Sequence, residues 1–104
     1  GYRFRVDRRI DVGGRHTRPD IVFVRCRVAV FVDGCFWHGC PRHGTQPRHN
    51  RWYWRPKIAG NRERDRRSTR ALRRLGWTVL RFWEHVEAEV AAARVAACLA
   101  ALSV

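Results

Sequence analysis

The spacing of apolar residues changes period several times along these 104 residues, and each change marks an element. Gly1-Tyr2-Arg3-Phe4-Arg5-Val6 alternates apolar and basic side chains, the period of a half-exposed strand. Asp11 to Arg18 is polar and contains Gly13-Gly14, which predicts a loop. Ile21-Val22-Phe23-Val24 and Val28-Ala29-Val30-Phe31-Val32 are short apolar runs separated by Arg25-Cys26-Arg27. They predict a hairpin in the middle of a sheet. A turn centred on Cys26-Arg27 sets Asp20 opposite Asp33, and a three-residue turn sets it opposite Val32. In both registers Asp20 shares one end of the hairpin with the backbone of Val32 and Asp33. Directly opposed residues have Cβ atoms roughly 5 Å apart, a spacing suited to a divalent metal held by oxygens.

Thr45 to Pro56 is polar and aromatic with two prolines, so it predicts an irregular loop carrying Trp52, Tyr53 and Trp54. Asn61 reads as an N-cap, with Glu63 and Asp65 in the first turn of a helix, where carboxylates suit the dipole. Ala71, Leu72 and Leu75 form a thin apolar stripe and Gly76 a stop, while seven arginines cover the rest. Trp77 to Trp83 returns to strand. From Glu84 the chain is Ala-rich and helical, with Val86, Val90, Ala93, Ala97 and Leu102 as its buried stripe. There is no internal repeat and no long linker.

One domain of mixed α/β type, residues 1–104, accounts for this pattern. A chain this short buries only about two thirds of its unfolded surface, so a structural metal would help. Apolar residues make up 45%, with five Trp and five Phe, which excludes a disordered basic tail. The net charge of +13 points to a polyanion, nucleic acid foremost. Lys57 is the only lysine; codon usage in a GC-rich genome explains arginine over lysine, but not the excess of charge. No signal peptide and no apolar run near the ~20 residues of a membrane span are visible. The expected setting is therefore reducing and intracellular. The first residue is not methionine, so a trimmed or N-terminally truncated chain is expected.

The densest chemistry lies in Asp33-Gly34-Cys35-Phe36-Trp37-His38-Gly39-Cys40-Pro41-Arg42-His43. Cys35 and Cys40, four residues between them, with His43 after two more, resemble half of a tetrahedral zinc site. His85, at the end of the last strand, is the best candidate for a ligand from elsewhere, and His49 is an alternative to His43. Buried thiols without metal are the plain alternative. Cys26 and Cys98 read as core or surface cysteines.

Together these residues resemble the very short patch repair endonucleases, the Vsr family. The resemblance rests on Arg18-Pro19-Asp20-Ile21-Val22, on Val32 through Cys40, on Tyr53-Trp54 and Lys57-Ile58, on Asn61 through Asp65, on Leu75 through Leu80, and on Trp83-Glu84-His85. It implies a restriction-endonuclease-like fold, a mixed central sheet flanked by helices, with a structural zinc site. It implies an enzyme that nicks one strand of double-stranded DNA beside a T·G mismatch with magnesium. Under it, Asp20 and the Val32 carbonyl hold Mg²⁺, His38 is the base for the attacking water, and Asp65 assists. Zn²⁺ falls to Cys35, Cys40, His43 and His85. Phe36, Trp37 and Trp54 form an aromatic wedge between base pairs, while Arg62 and Arg66 hold the backbone. Elementary chemistry agrees: a neutral imidazole suits a base near pH 7, and magnesium prefers carboxylate, carbonyl and water oxygens.

Three departures follow. Asp33 stands where a histidine occurs in the best-known members, and is either a second metal ligand or a group orienting His38. The spacing of the later zinc ligands differs, and the family's N-terminal helix with its glutamate is missing from these residues. A zinc-stabilised DNA-binding module without catalysis, and a nicking or restriction nuclease with another target, are the alternatives. A monomer is expected.

Overall fold

The structure, a computed structural model, describes residues 2–35, 40 and 51–102. The elements in chain order are β1 (Arg5–Val6), β2 (Ile10–Val12), β3 (Arg15–Thr17), β4 (Ile21–Phe23), β5 (Val28–Asp33), α1 (Arg51–Arg74), β6 (Thr78–Trp83) and α2 (Ala88–Leu102). Four strands form a mixed sheet in the order β1-β4-β5-β6, and β2 and β3 form a separate ribbon. β1, β4 and β5 run antiparallel, whereas β6 lies parallel to β5 after the α1 crossover. The expected mixed sheet with flanking helices is therefore present.

Residues 11–18 are not the predicted loop. Ile10 pairs with Thr17 and Val12 with Arg15 across a two-residue turn. Gly13 and Gly14 both hold positive φ, 56° and 84°, the conformation whose twist suits a tight hairpin. The apolar payload of this ribbon is small, but Val12 is buried.

The central hairpin forms, in a register neither predicted turn provides. Ile21 faces Val30, Val22 faces Ala29 and Phe23 faces Val28, so the turn takes four residues, 24–27. Arg27 makes this possible with φ 54° and an N–H bond to the Val24 carbonyl at 3.3 Å. Continuing the register sets Asp20 across from Phe31, one residue short of Val32.

Helix α1 begins at Arg51, ten residues earlier than expected, so Trp52, Tyr53 and Trp54 are helical and Asn61 is no N-cap. Glu63 and Asp65 consequently sit mid-helix. Pro56 lies just past the first turn and forfeits the amide bond to the Trp52 carbonyl. The stop at Gly76 is as read: Gly76 has φ 89°, its N–H meets the Arg73 carbonyl at 3.0 Å, and the Trp77 N–H meets Leu72 at 3.0 Å.

Alternation along β5 and β6 divides the core in two. Val12, Ala29, Phe31, Leu72 and Val79 pack on the α1 side. Phe23, Val28, Val30, Phe82 and Leu99 pack on the α2 side, joined by Ala91 and Val95. Each fully buried Leu, Val or Phe adds roughly 1.5–3 kcal/mol. The buried stripe of α2 is thus rotated from the predicted one, since Val90 and Leu102 are exposed.

Candidate active edge and metal centre

Because β5 and β6 are parallel, their C-terminal ends finish side by side. The Glu84 N–H donates to the Asp33 carbonyl at 2.9 Å, and the Cys35 N–H donates to Glu84 Oε1 at 2.9 Å. These two bonds fix Cys35 against the turn that carries His85. His85 Nδ1 lies 3.3 Å from Cys35 Sγ and 3.7 Å from Cys40 Sγ. The Cys40 N–H donates to the Cys35 carbonyl at 2.9 Å.

The three candidate ligand atoms lie within 4.8 Å of one another. A tetrahedral zinc with sulfur at about 2.3 Å and nitrogen at about 2.0–2.1 Å holds its ligands about 3.6 Å apart. The donor set and its spacing fit such an ion. Burial pushes the Cys35 thiol up, and its hydrogen bond with Cys40 raises it further. A metal binding here would displace thiol protons, so its affinity rises with pH. Of the four expected zinc ligands three come together, and His43 lies outside the described residues, as does His49. Cys26 and Cys98 pack at the α2-side core, consistent with the structural role expected of them.

Asp20 lies beside this edge. Its Oδ2 accepts the Val32 N–H at 2.7 Å, which leaves Oδ1 for another partner. In an extended strand the N–H and C=O of one residue point the same way, so the Val32 carbonyl faces the Asp20 side. Val32 is 50% exposed, and the position is open to solvent and substrate. The sequence-level conclusion that Asp20 meets Val32 holds, although the register beneath it differs.

Asp33 points to the α1 side and meets a residue that pattern reading passed over. Arg81 Nη1 donates to Asp33 Oδ1 at 2.9 Å and lies 3.7 Å from Asp65 Oδ1. Its Nε donates to Thr69 Oγ1 at 2.8 Å, and its Nη2 to the Asp65 carbonyl at 3.3 Å. The guanidinium stacks 4.0 Å above the Phe31 ring. One planar cation therefore ties two of the expected catalytic carboxylates to α1. The signal was a lone arginine inside the strand run Thr78-Val79-Leu80-Arg81-Phe82-Trp83, where a charge survives only when paired.

His38, Phe36 and Trp37 lie outside the described residues. Trp54 is half-buried in the first turn of α1, edge-on to Tyr53 at 4.9 Å. Arg62 is exposed on α1, and Arg66 is paired with Glu63 at 3.0 Å. Arg66 and Arg67 hold the Glu63 carboxyl below the usual carboxylate range.

Residues 1–43 match the family model described as DNA mismatch endonuclease Vsr. The chain is 54% identical over 96 residues to the type II nicking enzyme V.NaeI of Lentzea aerocolonigenes, covering 91% of this chain and 58% of that protein. It is 43% identical over 68 residues to the DNA mismatch endonuclease Vsr of Escherichia coli K12, covering 64% of this chain and 44% of that protein. The chain belongs to the Vsr family.

A third relative, the type II nicking enzyme V.XorIIP of Xanthomonas oryzae, is 49% identical over 86 residues, 81% of this chain and 60% of that protein. This Vsr-family chain thus spans between half and three fifths of the length of several curated relatives it matches. The part matched by the Vsr family model contains Asp20, Asp33, Cys35 and Cys40. The α1 helix, Arg81 and His85 lie beyond it, and come to the same edge only through the parallel β5–β6 pair. Among the described residues no helix is long and apolar enough to cross a membrane.

Proposed function

We propose that this chain is the catalytic part of a magnesium-dependent DNA endonuclease that nicks one strand at or near a T·G mismatch, on a restriction-endonuclease-like fold stiffened by zinc. The observation that carries it is the Asp20 carboxylate, one oxygen on the Val32 amide and the other open, beside the Cys35, Cys40 and His85 cluster. Asp20 Oδ1 and the Val32 carbonyl would hold Mg²⁺, which prefers such oxygen ligands. Such an ion offsets phosphoryl charge and acidifies bound water. His38 takes the proton from the attacking water, its neutral ring being a suitable base near pH 7. Asp33 and Asp65, bridged by Arg81, would assist, Asp33 by orienting His38. Cys35, Cys40, His43 and His85 would hold Zn²⁺ and fix the loop between Cys35 and Cys40.

Double-stranded DNA is the partner, met by a monomer. Phe36, Trp37 and Trp54 stack against bases at the opened step, where a mismatch costs less to unstack than a matched pair. Arg62 and Arg66 add phosphate attraction. The names of the relatives favour a second reading, a nick at a target other than a T·G mismatch: V.NaeI and V.XorIIP are named type II nicking enzymes, not mismatch enzymes.

A nicking assay on T·G and matched duplexes, with magnesium and with EDTA, separates these outcomes. Magnesium-dependent nicking of the T·G duplex alone is expected. Asp20→Ala abolishes it while binding persists, and His38→Ala slows it by roughly 10²–10⁴. Equal nicking of the matched duplex favours the second reading. Activity that survives EDTA or Asp20→Ala refutes the metal assignment.

A further inference from the structure

Between the β2–β3 ribbon and α1 runs a groove of about 990 Å³, and its chemistry is one-sided. Arg15 and Arg18 form one wall, Arg64, Arg67, Arg70 and Arg74 the other, and Arg81 lines it beside Asp65, the single carboxylate of the lining. Arg67 shares Glu63 with Arg66, and Arg81 is engaged by Asp33 and Asp65. Among the described residues no carboxylate pairs with Arg15, Arg18, Arg64, Arg70 or Arg74. Five unneutralised guanidinium groups on two facing walls repel one another, a cost that only an anion shared between the walls removes.

The anion has to be extended. From Arg64 to Arg74 the helix rises about 15 Å at 1.5 Å per residue. A DNA strand carries one phosphate per about 3.4 Å of axis, so the wall matches about four successive phosphates. Guanidinium forks suit phosphate oxygens. Arg81 lines the groove and also touches Asp33 at the active edge, so a strand lying here continues toward the candidate scissile phosphate.

We infer that this groove seats the backbone of one strand of duplex DNA, about four phosphates to one side of the nick. This rests on the nuclease assignment above, but assigns the strand to the face between ribbon and helix rather than to the exposed Arg62 and Arg66.

The test is equilibrium binding of a matched duplex in EDTA over a salt series, so that no strand is cut. Replacing Arg15, Arg70 and Arg74 together by Gln should lower the slope of log affinity against log salt by about 2–3, at about 0.9 per phosphate contact. The control triple Arg25→Gln, Arg73→Gln and Arg94→Gln loses the same charge from exposed positions outside the groove and keeps the wild-type slope. The triple with Lys at positions 15, 70 and 74 keeps the slope as well, which excludes a folding defect. Equal slopes for the two Gln triples, or an unchanged slope in the groove triple, overturn the inference. A slope difference in a protein that nicks nothing with magnesium leaves the groove standing and removes the nuclease. Asp20-dependent nicking with no slope difference does the reverse.

Discussion

The two faces of the central sheet use the same alternation for opposite ends. On the α2 face Val28, Val30 and Phe82 meet Leu99, Val95 and Ala91, and the inner stripe of α2 is apolar throughout. On the α1 face Ala29, Phe31 and Val79 meet Leu72, yet the next odd positions toward the strand ends are Arg81 and Asp33. The inner stripe of α1 follows suit: Ile58 and Leu72 are buried, while Asn61, Asp65 and Ser68 between them are only half-buried. A helix that anchors only at its two ends by apolar contact leaves its middle for polar chemistry. Apolar packing holds both faces, and the α1 face adds the Arg81–Asp33 pair.

The largest expected effect comes from breaking the apolar face. Leu99→Ala should cost about 2–5 kcal/mol in urea denaturation, while nicking per folded molecule stays unchanged. A loss of nicking beyond the loss of fold would mean that α2 also shapes the active edge.

The middle effect belongs to the charged face. Arg81→Leu leaves Asp33 and Asp65 without their shared cation, in side chains 13% and 26% exposed. A loss of about 1–3 kcal/mol is expected, together with a fall in nicking larger than the unfolded fraction explains. Arg81→Lys should recover stability better than nicking, since one ammonium cannot span Asp33, Asp65 and Thr69 together. A stable Arg81→Leu protein with full activity would erase the distinction between the faces.

The smallest effect lies on the solvent side of α1. Glu63 has its folded-state pKa lowered by Arg66 and Arg67, so its contribution is present above the unfolded carboxylate value of about 4.3 and is lost as pH falls through the lowered value. Glu63→Gln should leave the denaturation midpoint at neutral pH almost unmoved and flatten the acid limb of a stability–pH curve. An unchanged acid limb would show that these pairs contribute nothing in solution.

Legibility followed the same division. β5 and β6 were readable because each is a continuous run of strand formers, and the Gly76 stop because a left-handed residue ends a helix there. The β2–β3 ribbon was not, since three-residue strands with one buried side chain carry almost no periodic signal. The start of α1 was hidden by Pro56 and three aromatics, which resemble loop composition, and by the polar middle of its inner stripe. Cys35, Cys40 and His85 could be grouped because parallel strands end together. The Asp20–Val32 meeting survived a wrong register because the Asp20 side chain reaches one residue beyond its backbone partner. Arg81 stood out as a charge inside a strand, but its partners did not, because they lie 16 and 48 residues away.

Cys35 and His85 stand 50 residues apart, with the α1 crossover and β6 between them. An ion bonded to both turns that crossover into a closed ring. In the chain-entropy account of cross-links, a ring of this size removes about 4 kcal/mol of freedom from the unfolded chain. The parallel pair joins residues 50 positions apart, and so distant a pairing is slow to find. Metal uptake at the strand ends would shorten that search, while a chelator would act first on the refolding rate, before any change in the packed state is visible.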